Sequence, residues 1–228
     1  SDIGTGMFGL IGILAALAYR DRTGEGQMID ASLLDTPIAW SVYEAASLFA
    51  TGQAPARLGQ GHRTNAPYQA FRSADGWINL GGGAQQFWRD ICRILDVEPL
   101  LDDPRFTTPE LRVKHRRELE ALLQPRFLTQ PSSVWLERFE TAGVPAGPIL
   151  TYDQVFADPH VKAREMAVEV DHPKAGRTRV LGIPFKLSRT PGAVRRPAPT
   201  LGQHTDEVLR ELGYDEATIA DLRARKVV

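Results

Sequence analysis

The alternation of apolar and polar positions predicts helices and short strands from the start of the chain. The stretch 5–20 is apolar on nearly every face of a helix, which is typical of a buried helix. A glycine-containing turn at 21–27 follows, and residues 27–34 (QMIDASLL) fit a short strand. A mostly apolar stretch at 34–50 predicts a second helix. This helix–strand–helix order is typical of a layered α/β domain.

The composition changes at 51–69, which is rich in Gly, Pro and polar residues and predicts a long ordered loop at a domain boundary. Residues 70–83 then predict a β-hairpin with its turn at 74–76. Beyond it, periodicity and turn signals predict helices at about 85–95, 109–127 and 132–142, followed by a Gly/Pro linker at 143–150. A short helix is predicted near 152–156, and two strands around a turn at 174–176. The chain then has an extended segment at 189–203 and ends in helices at about 205–212 and 215–225.

Composition and charge narrow the possible functions. The 228 residues are 43% hydrophobic and 24% charged, which is ordinary for a globular protein. A formal net charge of -1 gives no reason to expect nucleic acid or an anionic membrane as a partner. Cys92 is the only cysteine, so the chain has no internal disulfide, and a reducing cytoplasm is the expected location. The five histidines lack metal-ligand spacing, so we predict no metal site.

The apolar N-terminal stretch could in principle be a targeting or membrane-spanning segment. Its uncharged run, 7–19, has 13 residues, no basic residue precedes it, and it contains Gly9 and Gly12. A helix needs about 20 apolar residues to cross a bilayer. The sequence therefore favours a buried helix here.

Residues 4–9 (GTGMFG) match the dinucleotide-binding pattern G-x-G-x-x-G, and Asp30 follows at a suitable distance. An NAD-binding oxidoreductase fragment is therefore one alternative. Glycines at helical spacing are, however, more typical of close helix packing, and no strand is visible before them.

Other short patterns have a functional and a structural interpretation. Asp2 could cap the first helix or present its carboxylate to a pocket beside the small residues Gly4 and Gly6. Amides of the loop Gly59-Gln60-Gly61-His62 could close over a ligand or stabilise an oxyanion, but the pattern by itself favours a plain surface loop. The run 81–83 (GGG) could host an anion, but a tight packing turn is favoured.

Taken together, the chain resembles family III CoA-transferases, the family of formyl-CoA transferase and carnitine CoA-transferase. The resemblance covers essentially all 228 residues in one order. The matching stretches are DIGTGMFGLIGILAALAYRDRTGEGQMIDASLLD, NAPYQAFRSADGWINLGGG, DDPRFTTPELRVKHR, AGVPAGPILTYDQVFADPHVKAREM, HPKAGRTRVLGIPFKLSRTPG and PAPTLGQHTDEVLRELGY.

The resemblance implies an enzyme that moves CoA between carboxylic acids, with Asp2 as the nucleophile that forms aspartyl anhydride and aspartyl-CoA thioester intermediates. It also implies that Gly59, Gln60, Gly61 and His62 form the loop that shields the site, although the family's run of glycines is here Gly-Gln-Gly. CoA thioesters would be substrates, and no cofactor would be bound permanently.

The resemblance implies an α/β fold with a Rossmann-like large domain and a smaller α+β domain. Residues 1–50 would belong to the large domain, 51–148 to the small domain with its linkers, and 149–228 to a return segment that completes the large domain. The complete protein would be an interlocked homodimer, and an N-terminal half that precedes this chain would be required for activity. Partners would be acyl-CoA and small carboxylic acids, with no nucleic acid and no membrane.

The α-methylacyl-CoA racemase branch of the same family is the remaining alternative. Racemases carry a glutamate roughly where Ala84 stands. This difference favours CoA transfer over racemisation.

Overall fold

The computed structural model describes all 228 residues as a chain of helices and two antiparallel sheets. The helices are α1 (Asp2–Thr23), α2 (Asp35–Trp40), α3 (Val42–Thr51), α4 (Gln85–Ile94), α5 (Pro109–Lys114), α6 (Arg116–Phe127), α7 (Ser132–Thr141), α8 (Tyr152–Ala157), α9 (Pro159–Ala163), α10 (Thr205–Glu211) and α11 (Glu216–Ala224), with a 3₁₀ helix at Glu98–Leu101. The strands are β1 (Gln69–Arg72), β2 (Trp77–Leu80), β3 (Ala146–Ile149), β4 (Ala167–His172) and β5 (Gly176–Leu181). The prediction of a mixed helix-and-sheet chain is confirmed.

The main core lies where the first sheet meets the middle helices. Strand β2 pairs with β1 on one side and with β3 on the other, both antiparallel. Phe127 of α6 stacks on Phe71 of β1 with ring centroids 4.4 Å apart, and its other contacts include the edge of Trp135 at 5.8 Å. All 15 residues of this hydrophobic cluster fall within 66–144. The predicted domain limits at 50 and 148 stay a prediction.

A fully buried arginine, Arg112 of α5, joins several segments of this core. Its guanidinium donates hydrogen bonds to the carbonyls of Ala66 (2.9 Å), Phe106 (3.0 Å) and Gly83 (3.3 Å). It also donates to the side-chain oxygen of Gln85 at 2.8 Å. Burial lowers the pKa of Arg112. One side chain therefore joins the segment after residues 59–62, at Ala66, to the segment before α4, at Gly83.

Helix α1 is largely exposed, contrary to the prediction of a buried helix. Only Gly4 and Ala16 are buried, and Ile3 is 83% exposed. Helix α1 packs mainly against α2 and, at Gly12, against Ile29, while most of its surface stays exposed. At 22 residues it is also longer than the apolar run in the sequence. Its length and apolar composition would suit a membrane-spanning helix, but core helices of soluble proteins and signal sequences have the same length and composition.

The structure corrects four element predictions. The helix predicted at 34–50 is broken at Ser41, whose hydroxyl donates to the Ile38 carbonyl at 2.7 Å. The helix predicted at 109–127 is broken at His115. Residues 27–34 form no strand, because no other strand lies beside them to pair with.

The fourth correction concerns the linker predicted at 143–150, which contains strand β3. Ala146 pairs with Leu80 and Ile149 with Trp77. Strand β3 lies at the edge of the sheet, where a proline such as Pro148 is tolerated.

Candidate active site

Asp2 is the first residue of α1 and its side chain is exposed. The N-cap position belongs to Ser1, so Asp2 is not the capping residue that the sequence suggested as one interpretation. The Ser1 hydroxyl donates to the Asp2 carboxylate at 3.3 Å. The positive end of the helix dipole favours a negative charge at this position. Asp2 thus presents an accessible carboxylate at a fixed end of a helix.

Hydrogen bonds between two threonines hold this end of α1 against the start of α2. The hydroxyls of Thr5 and Thr36 are 2.9 Å apart, and Thr36 is buried. One hydroxyl donates to the other, and the accepting hydroxyl directs its own proton to a backbone carbonyl: the Ser1 carbonyl lies 2.9 Å from Thr5 Oγ1, and the Ser32 carbonyl lies 3.1 Å from Thr36 Oγ1. The backbone around Asp2 is therefore tied to α2 by side chains one turn away.

Glycine at position 4 allows a close approach between α1 and α2. A Cβ atom at Gly4 would overlap the Trp40 ring and would lie 2.8 Å from Cγ2 of Thr36. The Trp40 ring also packs on Phe8, with centroids 6.2 Å apart. Gly4 therefore makes room for α2 and not for a substrate, which corrects the sequence interpretation. Gly6 does face open space, since an added Cβ would meet nothing within 4 Å.

The loop Gly59–His62 lies beside α6. Gly59 has φ +65°, a left-handed conformation that glycine adopts without strain. A Cβ at Gly61 would lie 3.1 Å from Cδ of Arg116, so the loop backbone packs directly on that side chain. The Arg116 guanidinium donates to the His62 carbonyl, and to the Arg63 carbonyl at 3.3 Å. Gln60 is exposed.

His62 joins the end of the loop to Tyr68, the residue that precedes β1. Its amide donates to the Tyr68 carbonyl at 3.0 Å, and its ring stacks on the Tyr68 ring at 4.8 Å. Its Nδ1 accepts hydrogen bonds from the Thr64 amide at 3.3 Å and from the Asn65 side-chain amide at 3.2 Å. A ring nitrogen that accepts from an amide carries no proton, so the neutral imidazole holds its proton on Nε2. That N–H is free to donate to a ligand.

An ion pair connects the loop to α3. The Arg63 guanidinium donates from Nε to Glu44 Oε1 at 2.8 Å and lies 2.6 Å from Oε2 through its terminal nitrogen. The edge of the Tyr43 ring faces His62, with centroids 6.4 Å apart. No hydrogen bond or ion pair joins Asp2 to residues 59–62, so the two predicted parts of the site are connected through α2 and α3.

The structure also decides between interpretations of two glycine patterns. Residues 4–9 lie inside α1 and Asp30 lies outside any strand, so the strand–loop–helix geometry of a dinucleotide site is missing here. In the run 81–83, an added Cβ at Gly82 would overlap Ile91 and one at Gly83 would overlap Asn65. Close packing therefore explains the run 81–83 and Gly4, whereas Gly6 and Gly9 face open space.

Sequence comparison gives the family. The profile of CoA-transferase family III matches residues 1–205. The chain belongs to this family. A human relative, succinyl-CoA:glutarate CoA-transferase, is 38% identical over 229 aligned positions, which cover all of this chain and 52% of that protein. Succinate–glutarate CoA-transferase from Agrobacterium fabrum is 36% identical, covering 96% of this chain and 54% of that protein.

Structural comparison agrees with the family assignment. A crystal structure of a CAIB/BAIF family protein from Brucella suis superposes with a TM-score of 0.75 and is 35% identical. The match covers 92% of this chain and 54% of that one. The chain therefore spans about half the length of the relatives it matches.

Several residues that shape the site were not predicted from the sequence. Thr36, Trp40, Glu44 and Arg116 act through contacts with residues far away along the chain. Each lies in a helix, where its side chain carries no local motif. His115 lies at the break between α5 and α6, and its Nδ1 is 2.8 Å from Oε1 of Glu118.

Proposed function

We propose that the full-length protein transfers CoA from an acyl-CoA to a second carboxylic acid and that Asp2 is the nucleophile. The observation that carries the proposal is the accessible Asp2 carboxylate at an anchored helix N-terminus in a family III chain. The relatives reported above are named as CoA-transferases, which favours transfer over the racemase alternative.

The reaction would proceed through covalent intermediates on Asp2. A carboxylate oxygen attacks the thioester carbonyl of the donor, and the C–S bond breaks to give a mixed anhydride and the CoA thiolate. The thiolate attacks the aspartyl carbonyl of the anhydride, which releases the donor carboxylate and leaves an aspartyl-CoA thioester.

The acceptor carboxylate then repeats the sequence in reverse. It attacks the aspartyl thioester, which gives a second anhydride and frees the thiolate again. Attack of the thiolate on the acceptor carbonyl forms the new acyl-CoA and restores the Asp2 carboxylate. No proton or electron is gained or lost, so this scheme needs no redox cofactor.

Positioning has to supply most of the acceleration, because a carboxylate is a weak nucleophile. Well-oriented reacting groups can lower a barrier by about 7–11 kcal/mol. The contacts that fix Asp2 are the Thr5–Thr36 hydrogen bond and the Gly4–Trp40 packing. They support a rigid nucleophile.

The loop Gly59–His62 would shield the anhydride from water, which hydrolyses anhydrides readily. Its amides and the free Nε2–H of His62 can donate to an oxyanion. The contacts of Arg116 and Tyr68 with the loop limit how far it can open.

The whole protein's substrates and assembly follow from its relatives by analogy. Succinate and glutarate occur in the names of the relatives described, so we propose short dicarboxylic acids and their CoA thioesters as substrates. We also propose that the protein is a cytoplasmic homodimer. Its activity would require an N-terminal half that lies outside this chain.

The test compares Asp2→Asn with Asp21→Asn, which changes an exposed carboxylate at the other end of the same helix. In the full-length protein, we expect Asp2→Asn to abolish transfer from succinyl-CoA to glutarate and Asp21→Asn to leave it unchanged. Hydroxylamine added during turnover should form a hydroxamate that mass spectrometry assigns to Asp2.

Two results would contradict the proposal: near-normal transfer by Asp2→Asn, or a hydroxamate on another carboxylate. Loss of α-deuterium from a labelled acyl-CoA without a new thioester would instead favour the racemase.

A further inference from the structure

A cavity of about 550 Å³ lies behind the glycine loop, on the side formed by α5, α6 and the start of β1. The residues that line it include Gly59, Gln60, Gly61 and Gln69. The charged residues that line it are Arg57, Lys114, His115, Arg116, Arg117, Glu118 and Glu120. The mechanism proposed above gives a role to the loop but none to the other residues that line this cavity.

Two buried donors in the cavity wall have no partner. Gln69 is 4% exposed, and its Nε2 makes no hydrogen bond. Nε of Arg116 is also buried without an acceptor, although the other end of that guanidinium binds the loop carbonyls. Buried polar groups in native proteins nearly always have partners, so these two donors indicate an acceptor that the chain itself does not supply.

The N-terminus of α6 adds further donors at the same place. This helix of 12 residues begins at Arg116, and the side chain of its N-cap residue, His115, makes no capping hydrogen bond. The first amides of a helix have no partner within the helix, and they lie at the positive end of its dipole. Such an end binds phosphate and similar oxyanions.

The charges around the cavity are unbalanced. Arg57, Lys114 and Arg117 form no ion pair, and Arg116 donates only to carbonyls. Of the two carboxylates, Glu118 already binds Arg105 at 2.7 Å and His115 at 2.8 Å. Glu120 is then the one uncommitted anion among four cations. These four cations carry more positive charge than the Glu120 carboxylate can neutralise. The remaining positive charge suits a phosphate group, which can carry two negative charges.

We propose that this cavity binds a phosphate group, with Gln69, Arg116 and Arg117 as its principal donors. Because Arg116 also holds the carbonyls of His62 and Arg63, a bound phosphate would fix the guanidinium and stabilise the loop in its present position. The phosphate could belong to a CoA thioester or be free inorganic phosphate. The site does not depend on Asp2.

The first experiment measures inorganic phosphate binding to the full-length protein by isothermal titration calorimetry. We expect Gln69→Leu, of similar size, and Arg117→Ala, on an exposed residue, each to weaken binding at least tenfold. Arg89→Ala removes an exposed arginine of α4 that forms no ion pair, and it should bind as the wild type does. Asp2→Asn should also bind normally, so failure of the transfer mechanism would not affect this result.

A second experiment identifies the source of the phosphate. If it belongs to CoA, Arg117→Ala should raise KM at least fivefold for succinyl-CoA but not for succinyl-pantetheine, which has no phosphate. If it is free phosphate, KM should be unchanged for both substrates while calorimetry still shows the loss. The proposal is wrong if the wild type does not bind phosphate, or if the Gln69, Arg117 and Arg89 variants bind it equally.

Discussion

Replacing Arg112 with leucine tests whether one buried side chain holds the segments around the glycine loop. Arg112 is fully buried and donates to the carbonyls of Ala66, Gly83 and Phe106 and to the side chain of Gln85. Its guanidinium also lies over the Trp88 ring at 5.1 Å. Leucine would fill part of the space but could not donate a hydrogen bond.

The expected loss follows from the acceptors that are left behind. Each buried acceptor that loses its partner costs about 1–3 kcal/mol, and three backbone carbonyls are affected. Removing a desolvated cation offsets part of this cost, because burying a charge is itself unfavourable. We therefore expect Arg112→Leu to lower the free energy of unfolding by about 3–5 kcal/mol. Arg112→Lys keeps the charge but not the planar fork of donors, and should lose about half as much.

The assay combines urea unfolding with labelling of Cys92 in the full-length protein. Cys92 of α4 is fully buried, and burial raises the pKa of its thiol to about 12. It should therefore resist alkylation in the native state and react when the core opens. Arg112→Leu should speed labelling of Cys92 at least a hundredfold, whereas Arg89→Ala should not change it. A loss of stability below about 1 kcal/mol for Arg112→Leu would refute the reasoning.

Three further predictions address other parts of the chain. Gly4→Ala should reduce transfer at least tenfold and lower the free energy of unfolding by about 1–3 kcal/mol, because the added Cβ overpacks against Trp40. Gly9→Ala should keep its activity, because an added Cβ there meets nothing within 4 Å. Equal transfer rates for the two variants would contradict the positioning argument. Hydrogen bonds from Arg105 lower the pKa of Asp103 from 3.8 to about 2, so the stability that this pair contributes is present above pH ~4 and is lost as the pH falls to ~2. Asp103→Asn should therefore be less stable than the wild type above pH ~4, and the difference between their urea midpoints should shrink as the pH falls to ~2. The 228-residue chain expressed alone should bind a hydrophobic dye such as ANS through the exposed face of α1, and a monomer that does not bind the dye would contradict this.

Local patterns were sufficient to predict most helices and both hairpins. The turn at 74–76 was predicted from its residues, and in the structure the Ser73 hydroxyl donates to the Asp75 carboxylate at 3.0 Å while the Gly76 amide donates to the Ser73 hydroxyl at 3.0 Å. Helix breaks were harder to predict. Serine and histidine both occur inside helices, so the sequence does not indicate that the helices are interrupted at Ser41 and His115.

Non-local pairing explains most of what the sequence did not predict. The Gly/Pro composition of β3 alone indicates a linker. The segment forms a strand because it pairs with β2, where Ala146 lies opposite Leu80, a residue far away along the chain. The same holds for the site. The roles of Asp2 and of residues 59–62 were inferred from resemblance, and both stay predictions, whereas the Thr5–Thr36 and Arg63–Glu44 contacts required the folded chain.

The apolar sequence of α1 and its exposure in the structure can be explained together. A helix that is apolar on nearly every face gains stability only where another surface covers it, and within these 228 residues that surface is mainly α2. Gly4, Thr5 and Trp40 make these contacts near the end that carries Asp2. The relatives are about twice as long as this chain, so we expect the rest of the full-length protein to cover the exposed faces. On this interpretation the residues of this chain fix where the carboxylate stands, and the remainder of the protein supplies most of the burial that keeps the helix folded.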